Sequence, residues 1–171
     1  MKRTSFGDME CPIARGLEQV GEWWSILILR DAFHGLRRFD EFRESLGVAP
    51  NMLSRRLNAL VKSGLLERRR YSAHPPRFDY VLTAKGRDFH TVLLALLDWG
   101  NRHFARAKGP AVLPVDRDTG MTLDLVMVDR SALKPLHLRN VRLAAGPGAG
   151  PEVHRRLARI AGGRGIKEGA S

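Results

Sequence analysis

Between residues 47 and 64 (GVAPNMLSRRLNALVKSG) the apolar positions Leu53, Leu57, Leu60 and Val61 fall at i, i+4, i+7 and i+8, the spacing of one buried helical stripe. On the other side Asn51, Arg55, Asn58 and Lys62 recur at i, i+4, i+7 and i+11, with no acid among them. Pro50 suits the first turn, where its missing N–H costs nothing, and Gly64 suits the left-handed residue that ends a helix. Upstream, Phe39, Phe42 and Leu46 predict a shorter amphipathic helix stopping at Gly47. Before it, residues 20–33 (VGEWWSILILRDAF) have the apolar density of a core helix, with Trp24, Leu27 and Ile28 facing one way and Leu29 and Ala32 filling in. A buried strand over SILIL is the competing reading, because short apolar runs carry no decisive period. Residues 65–71 and 78–82 read as two strands joined by SAHPPR, whose prolines cannot donate ladder hydrogen bonds. Thr83 is a candidate N-cap for a helix running to about Ala107. Its apolar residues cover more than one stripe, which suits burial in its own domain on one side and in a partner subunit on another.

Two helices joined by a short glycine-containing turn, the second with a polar, basic outer face, read as a helix-turn-helix, and a hairpin directly after it as a wing. Amides read adenine edges, whereas arginines reach guanine edges or phosphates. Arg68, Arg69, Arg70 and Arg77 flank the hairpin, where cations meet phosphates or a narrow minor groove. The plain alternatives are a solvated helix face and a strand edge protected by charge.

Charge sharpens this picture. The chain of 171 residues has 29 Lys and Arg against 18 Asp and Glu, a net +11. More than half of that excess lies between His34 and Arg77, with ten Lys and Arg against four Asp and Glu. A polyanionic partner follows, and double-stranded DNA fits the helix-turn-helix. No apolar run is long enough to span a bilayer, and the start, MKRTSFGDME, lacks the apolar centre of a signal peptide, so a cytoplasmic protein is expected. The single cysteine, Cys11, excludes an intrachain disulfide and a cysteine-rich zinc site. The histidines at 34, 74, 90, 103, 137 and 154 make no metal spacing, and neither a phosphate-binding glycine loop nor a catalytic triad or carboxylate pair stands out. No enzyme and no cofactor are expected.

Toward the C-terminus, residues 112–115 and 121–129 alternate like strands of a small hairpin around an Asp118-Thr119-Gly120 turn. From Gly146 the composition turns to glycine, alanine and proline (GPGAGP), a flexible linker. Residues 151–160 predict a short basic helix with Val153, Leu157 and Ile160 on one face, and the final GGRGIKEGAS reads as disordered.

The succession of CP, VGEWWSILILRDAFHGLRRFDEF, LSRRLNALVKSGLLERR and YSAHPPRFDYVLTAKG, followed by a leucine-rich helix ending in DWG, resembles the HxlR-type winged helix-turn-helix regulators over roughly residues 11–105. The resemblance implies a bacterial, dimeric transcription regulator. Its N-terminal segment and the helix after the wing would form the dimer, and its two recognition helices would enter successive major grooves. It also implies that Cys11, in its Cys-Pro pair, is a candidate sensor of oxidants or electrophiles. The sequence departs from the family in three places. Trp23 stands where a basic residue is usual, and Ala49 stands at the recognition-helix N-cap in place of Ser or Thr. The third is the C-terminal extension, which is similar to a zinc ribbon without its cysteines: Thr119 and the Val128-Asp129-Arg130 stretch occupy their places. No structural zinc is expected there.

The expected protein is mainly α with a small β-wing (α+β). Residues 11–107 form the winged helix-turn-helix and dimerisation domain, residues 108–145 a small β-hairpin extension, and residues 146–171 a flexible basic tail. The expected function is sequence-specific binding, as a homodimeric repressor, to a near-palindromic operator, under a small-molecule or electrophile inducer. Asn51, Met52, Ser54 and Arg55 would face bases; Arg37, Arg38, Arg56, Lys62, Arg70 and Arg77 would hold phosphates or the minor groove, with His74 in the wing beside them. Trp23, Trp24 and Trp99 are candidates for a ligand pocket, against the commoner use of aromatics as core. Two other classes compete: a thiol enzyme built on Cys11, which lacks any catalytic pattern around it, and a nonspecific nucleoid protein, which would need cations but not the asparagines.

Overall fold

A computed structural model of the chain describes residues 6–161. In order these form α1 (Pro12–Val20), α2 (Trp23–Phe33), α3 (Phe39–Leu46), α4 (Pro50–Lys62), β1 (Leu66–Ser72), β2 (Arg77–Leu82), α5 (Ala84–Asp88), α6 (His90–Phe104), β3 (Val128–Asp129), β4 (Lys134–Pro135), a 3-10 turn (Leu138–Asn140) and α7 (Pro151–Ala161). They divide into two units, Gln19–Leu125 and the described parts of Met1–Glu18 with Val126–Ser171. The division falls at other positions than the sequence boundaries near 107 and 145.

The larger unit is built on α2, which packs against α3, α4, β2 and α6. Ile28, Leu29, Phe42, Leu53, Leu57, Leu60 and Leu66 are its fully buried side chains. The apolar stripe of α4 thus goes inside, with Val61 packed at its margin. The apolar run from residue 20 to 33 is not one element: α1 ends at Val20, Gly21 takes a φ of 71°, and α2 restarts at Trp23. That restart sets the phase, so Ser25, Ile28 and Leu29 face the core while Leu27 is only half-buried. SILIL is helical, because a strand there would leave the helix-turn-helix without the helix it packs on.

Each junction around α4 has a local cause. Gly47, with φ 62°, ends α3 and donates its N–H to the Arg43 carbonyl at 2.9 Å. At the other end Gly64 has φ 70°; Leu65 N–H bonds the Leu60 carbonyl at 3.0 Å and Gly64 N–H that of Val61 at 3.0 Å, a Schellman stop. The Glu41 carboxylate reaches back to the backbone N–H groups of Arg37 and Arg38, both at 2.8 Å, and these bonds hold its carboxyl below the usual range. β1 and β2 pair antiparallel with Leu66 opposite Leu82, Arg68 opposite Tyr80 and Arg70 opposite Phe78. The segment before α3 adds to this hairpin, since Tyr80 N–H bonds the Arg37 carbonyl at 2.7 Å. Thr83 Oγ1 accepts from Gly86 N–H at 3.0 Å and donates to the Gly64 carbonyl at 2.6 Å, tying the end of α4 to the start of α5. The helix expected to run from there to Ala107 is broken in two, α5 and α6 meeting at Phe89.

Ala49 occupies the N-cap of α4 in extended conformation, and no side chain caps the helix. Ala49→Ser supplies the missing acceptor and is expected to stabilise the protein by about 0.5–2 kcal/mol. Thermal melting of the pair checks this; an unchanged or lower midpoint would show that the first turn is already satisfied.

In the C-terminal extension, aspartate side chains fold the backbone where the strands of a small hairpin were expected over residues 112–115 and 121–129. Asp116 Oδ1 accepts from the N–H groups of Asp118 (3.1 Å) and Thr119 (2.8 Å) and from the Thr119 hydroxyl (2.8 Å). These bonds, that of the Thr119 hydroxyl foremost, hold its carboxyl below the usual range. A single bridge, Val115 to Thr122, closes that loop. Asp129 Oδ1 does the same for Ser131 N–H at 2.8 Å, and the two-residue strands β3 and β4 close the second loop. The basic stretch 151–160 is helical as α7, whereas the final GGRGIKEGAS lies outside the described residues.

Candidate nucleic-acid interface

Helix α4 sorts its residues cleanly. Asn51, Ser54, Arg55, Asn58 and Lys62 are exposed, and the side chains of Arg55 and Lys62 have no ion-pair or hydrogen-bond partner among the described residues. Their donors are free for base edges or phosphates. Met52, expected beside Asn51 at the bases, is half-buried and packs on the core. Arg56, expected on a phosphate, is turned inward: its side chain is 16% exposed and its guanidinium is paired with Glu22. With its side chain largely covered and its guanidinium on Glu22, Arg56 has little left to offer a phosphate. Asn58 is the residue left out of the base-facing set above, although it lies in the same acid-free stripe and the helix exposes it.

The wing shows the same sorting. Arg77 opens β2 and is exposed with no side-chain partner among the described residues, and Arg37 ahead of α3 is likewise free at its guanidinium. Arg70 is committed to the hairpin itself, its Nε donating to the Ser72 carbonyl at 3.0 Å and an Nη to that of Ala73 at 2.7 Å. Arg38 lies 5.0 Å over the Tyr71 ring and 4.0 Å from Asp79, and Arg68 lies 4.1 Å over Phe78. His74 is exposed at the tip. Arg70, Arg38 and Arg68 therefore shape the wing, and they present positive charge from fixed positions.

The three tryptophans are not gathered. Trp23 is 73% exposed, Trp24 packs against the core, and Trp99 meets Phe104 edge-on at 5.0 Å between centroids. Among the described residues no cluster of three or more His, Cys, Asp or Glu side chains is placed to hold a metal ion. No helix among them is long and apolar enough to cross a membrane.

In the smaller unit Cys11 sits immediately before α1 and is partly exposed. The Ala14 N–H at the helix start and then the Arg156 guanidinium on α7 bond its sulfur, and together they hold the thiol below its usual range. Arg15, four residues along, is the cation nearest Cys11 in the sequence, yet the structure supplies one from 145 residues away instead. The Glu10 carboxylate fixes α7 by accepting the Val153 N–H at 3.0 Å. Arg156→Gln removes the cation, so less thiolate is present at neutral pH. Alkylation of Cys11 by iodoacetamide at pH 7 is expected to slow roughly two- to fivefold, with the pH profile displaced upward. An unchanged profile would show that the helix start alone sets the thiol.

A short helix-turn-helix whose second helix shows an acid-free polar face, followed by an arginine-bearing antiparallel hairpin, defines a winged helix-turn-helix DNA-binding protein. The chain belongs to the HxlR-like helix-turn-helix family, whose model matches residues 19–108, and it is a DNA-binding transcriptional regulator. An uncharacterized HTH-type transcriptional regulator of Mycobacterium tuberculosis is 38% identical over 136 residues, covering 80% of this chain and 86% of the relative. Among solved structures, the transcription-factor candidate PA1607 superposes with a TM-score of 0.75 at 37% identity, over 84% of this chain and 100% of that one. PA1374 of Pseudomonas aeruginosa, of the same description, gives 0.62 at 54% identity, over 85% of this chain and 99% of its own. The oxidized form of the redox regulator HypR gives 0.51 at 29% identity, covering 56% of this chain and all of that one.

Proposed function

We propose that this regulator binds a near-palindromic operator as a homodimer, represses a neighbouring operon, and is released by modification of Cys11. The observation that carries the reading is the exposed set Asn51, Ser54, Arg55, Asn58 and Lys62 on one helix face with Arg77 on the wing, none with a side-chain partner among the described residues. Amides together with cations specify bases, which cations alone do not. Dimerisation is supported by α6, a helix of 15 residues with no buried side chain and with Val92, Leu96, Trp99 and His103 on one exposed stripe. Ile13 and Leu17 on α1 add a second exposed apolar pair. Half-sites about one helical turn apart, or a multiple of it, then match the two recognition helices.

Release through Cys11 is supported by its partial exposure, its lowered thiol pKa and the likeness to a redox regulator. The thiolate adds to an electron-poor carbon of a quinone, which takes up a proton, or it couples to the partner subunit's thiol when diamide accepts the two electrons. Operator affinity of wild type and Cys11→Ser, with and without diamide or a quinone, tests this part. Release of both proteins alike, or of neither, places the signal elsewhere.

DNA binding is tested separately. Arg77→Ala is expected to weaken binding evenly across sequences and to reduce the salt slope by about 1, because its contact is with backbone phosphate. Affinities measured at several salt concentrations check it. Equal affinity of the wild type for every sequence would replace the specific regulator by a nonspecific DNA-binding protein.

A further inference from the structure

Helices α2 and α6 pack together without closing. Between Leu27 and Phe33 on α2 and Leu93, Leu94 and Leu97 on α6 they leave a cavity of about 260 Å³. Val112, from the chain beyond α6, forms a further wall and is held there by Asn101, whose Nδ2 donates to the Val112 carbonyl at 2.9 Å. The polar residues of the lining are Arg30, His34 and His90. The His90 imidazole is stacked on the Phe33 ring at 4.4 Å between centroids and 17° between planes, so planar rings already fit this wall. Arg30 spends Nε and one Nη on the Asp31 carboxylate at 2.9 and 2.7 Å, and its other donors have no partner among the described residues.

We infer that this cavity binds a small aromatic acid of one or two fused rings, the rings on the α6 leucines beside the Phe33–His90 stack and the carboxylate on the free edge of Arg30. An apolar pocket with a few convergent polar groups is the usual form of a small-molecule site. A second subunit is the rival occupant, and the geometry of α6 argues against it. The cavity side of that helix carries His90, Leu93, Leu94 and Leu97, whereas Val92, Trp99 and His103 of the exposed stripe lie on another side; Leu96 stands at the border and belongs to both the stripe and the cavity rim. A subunit seated on that stripe meets the cavity only at its Leu96 rim, while Leu27, Arg30, Phe33, Leu93, Leu94 and Leu97 line the space between α6 and α2 away from the stripe. Because α2 also packs on α3 and α4, the ligand touches the helix that seats the recognition helix.

The test uses the full chain and needs no operator, so it stands apart from the DNA-binding reading. Isothermal titration with 1-naphthoate is expected to show saturable binding at one per chain. Leu97→Trp, which fills the cavity, should weaken it at least tenfold, and Val112→Trp, changed outside the helices, does the same should Leu97→Trp fail to fold. Arg30→Gln should weaken 1-naphthoate severalfold while leaving the neutral 1-naphthylmethanol within twofold. Trp99→Ala, on the exposed stripe, should leave naphthoate affinity within twofold whatever its effect on self-association. No saturable binding, binding that survives both tryptophan substitutions, or affinity that falls with dissociation of the dimer overturns the assignment.

Discussion

Arg55→Ala will weaken operator binding by about 1–3 kcal/mol, and most of the loss will appear as lost discrimination between bases. At about 1.4 kcal/mol per factor of ten, this is roughly 5- to 150-fold. The side chain is exposed on α4 and has no partner among the described residues, so its removal takes nothing from the fold. Neighbouring Arg56 provides the contrast. Its guanidinium is tied to Glu22 and largely covered, so Arg56→Ala should lower the melting temperature while leaving the pattern of base preference in place. Anisotropy titrations against a set of operator variants, with thermal melts of each protein, separate the two. An Arg55→Ala protein that keeps the wild-type ranking of sequences would move base recognition onto Asn51, Ser54 and Asn58.

Leu57→Ala will destabilise the protein by about 2–5 kcal/mol, the range for emptying a fully buried leucine site. Leu57 has no exposed surface and lies in the middle of the buried stripe with Leu53 and Leu60. Whole domains are stable by only about 5–15 kcal/mol, so the variant loses a large share of its margin. The adjacent Asn58, exposed on the acid-free face of α4, is expected to change stability by within about 0.5 kcal/mol when replaced by alanine. Urea unfolding of both variants measures the difference. A Leu57→Ala loss below 1 kcal/mol would mean that the core collapses around the gap.

The helix-turn-helix was readable in the sequence because α4 carries a clean period with its own stop at Gly64, and because Gly47 marks the turn before it. Where period failed, so did the reading. Residues 20–33 are apolar nearly throughout, so nothing in them announces the break at Gly21 that rotates Leu27 out of the core and sets Ser25 toward it. Arg56 and Met52 adjoin the exposed residues Arg55 and Asn51 in the sequence, yet they fall outside the stripe of Asn51, Arg55, Asn58 and Lys62 and lie at its margins. Whether a marginal residue faces solvent depends on what stands next to it, here Glu22 and the core. The cation beside Cys11 was out of reach for a simpler reason: local spacing points to Arg15, and only the folded chain brings Arg156 there. In the extension, alternating residues suggested strands, but Asp116 and Asp129 each gather backbone N–H groups two and three residues ahead and turn the chain first.

Those two aspartates have a consequence for how the protein meets its surroundings. A carboxylate that gathers backbone N–H groups does by hydrogen bonding what a thiolate in a metal-bound loop does while also holding zinc. The turns at Asp116 and Asp129 are held by carboxylate–amide hydrogen bonds, which need neither a thiolate nor a metal. The chain is left with one sulfhydryl in 171 residues, Cys11. Any thiol-directed reagent added to this protein consequently reports on a single address, with no competing sulfhydryl to consume it.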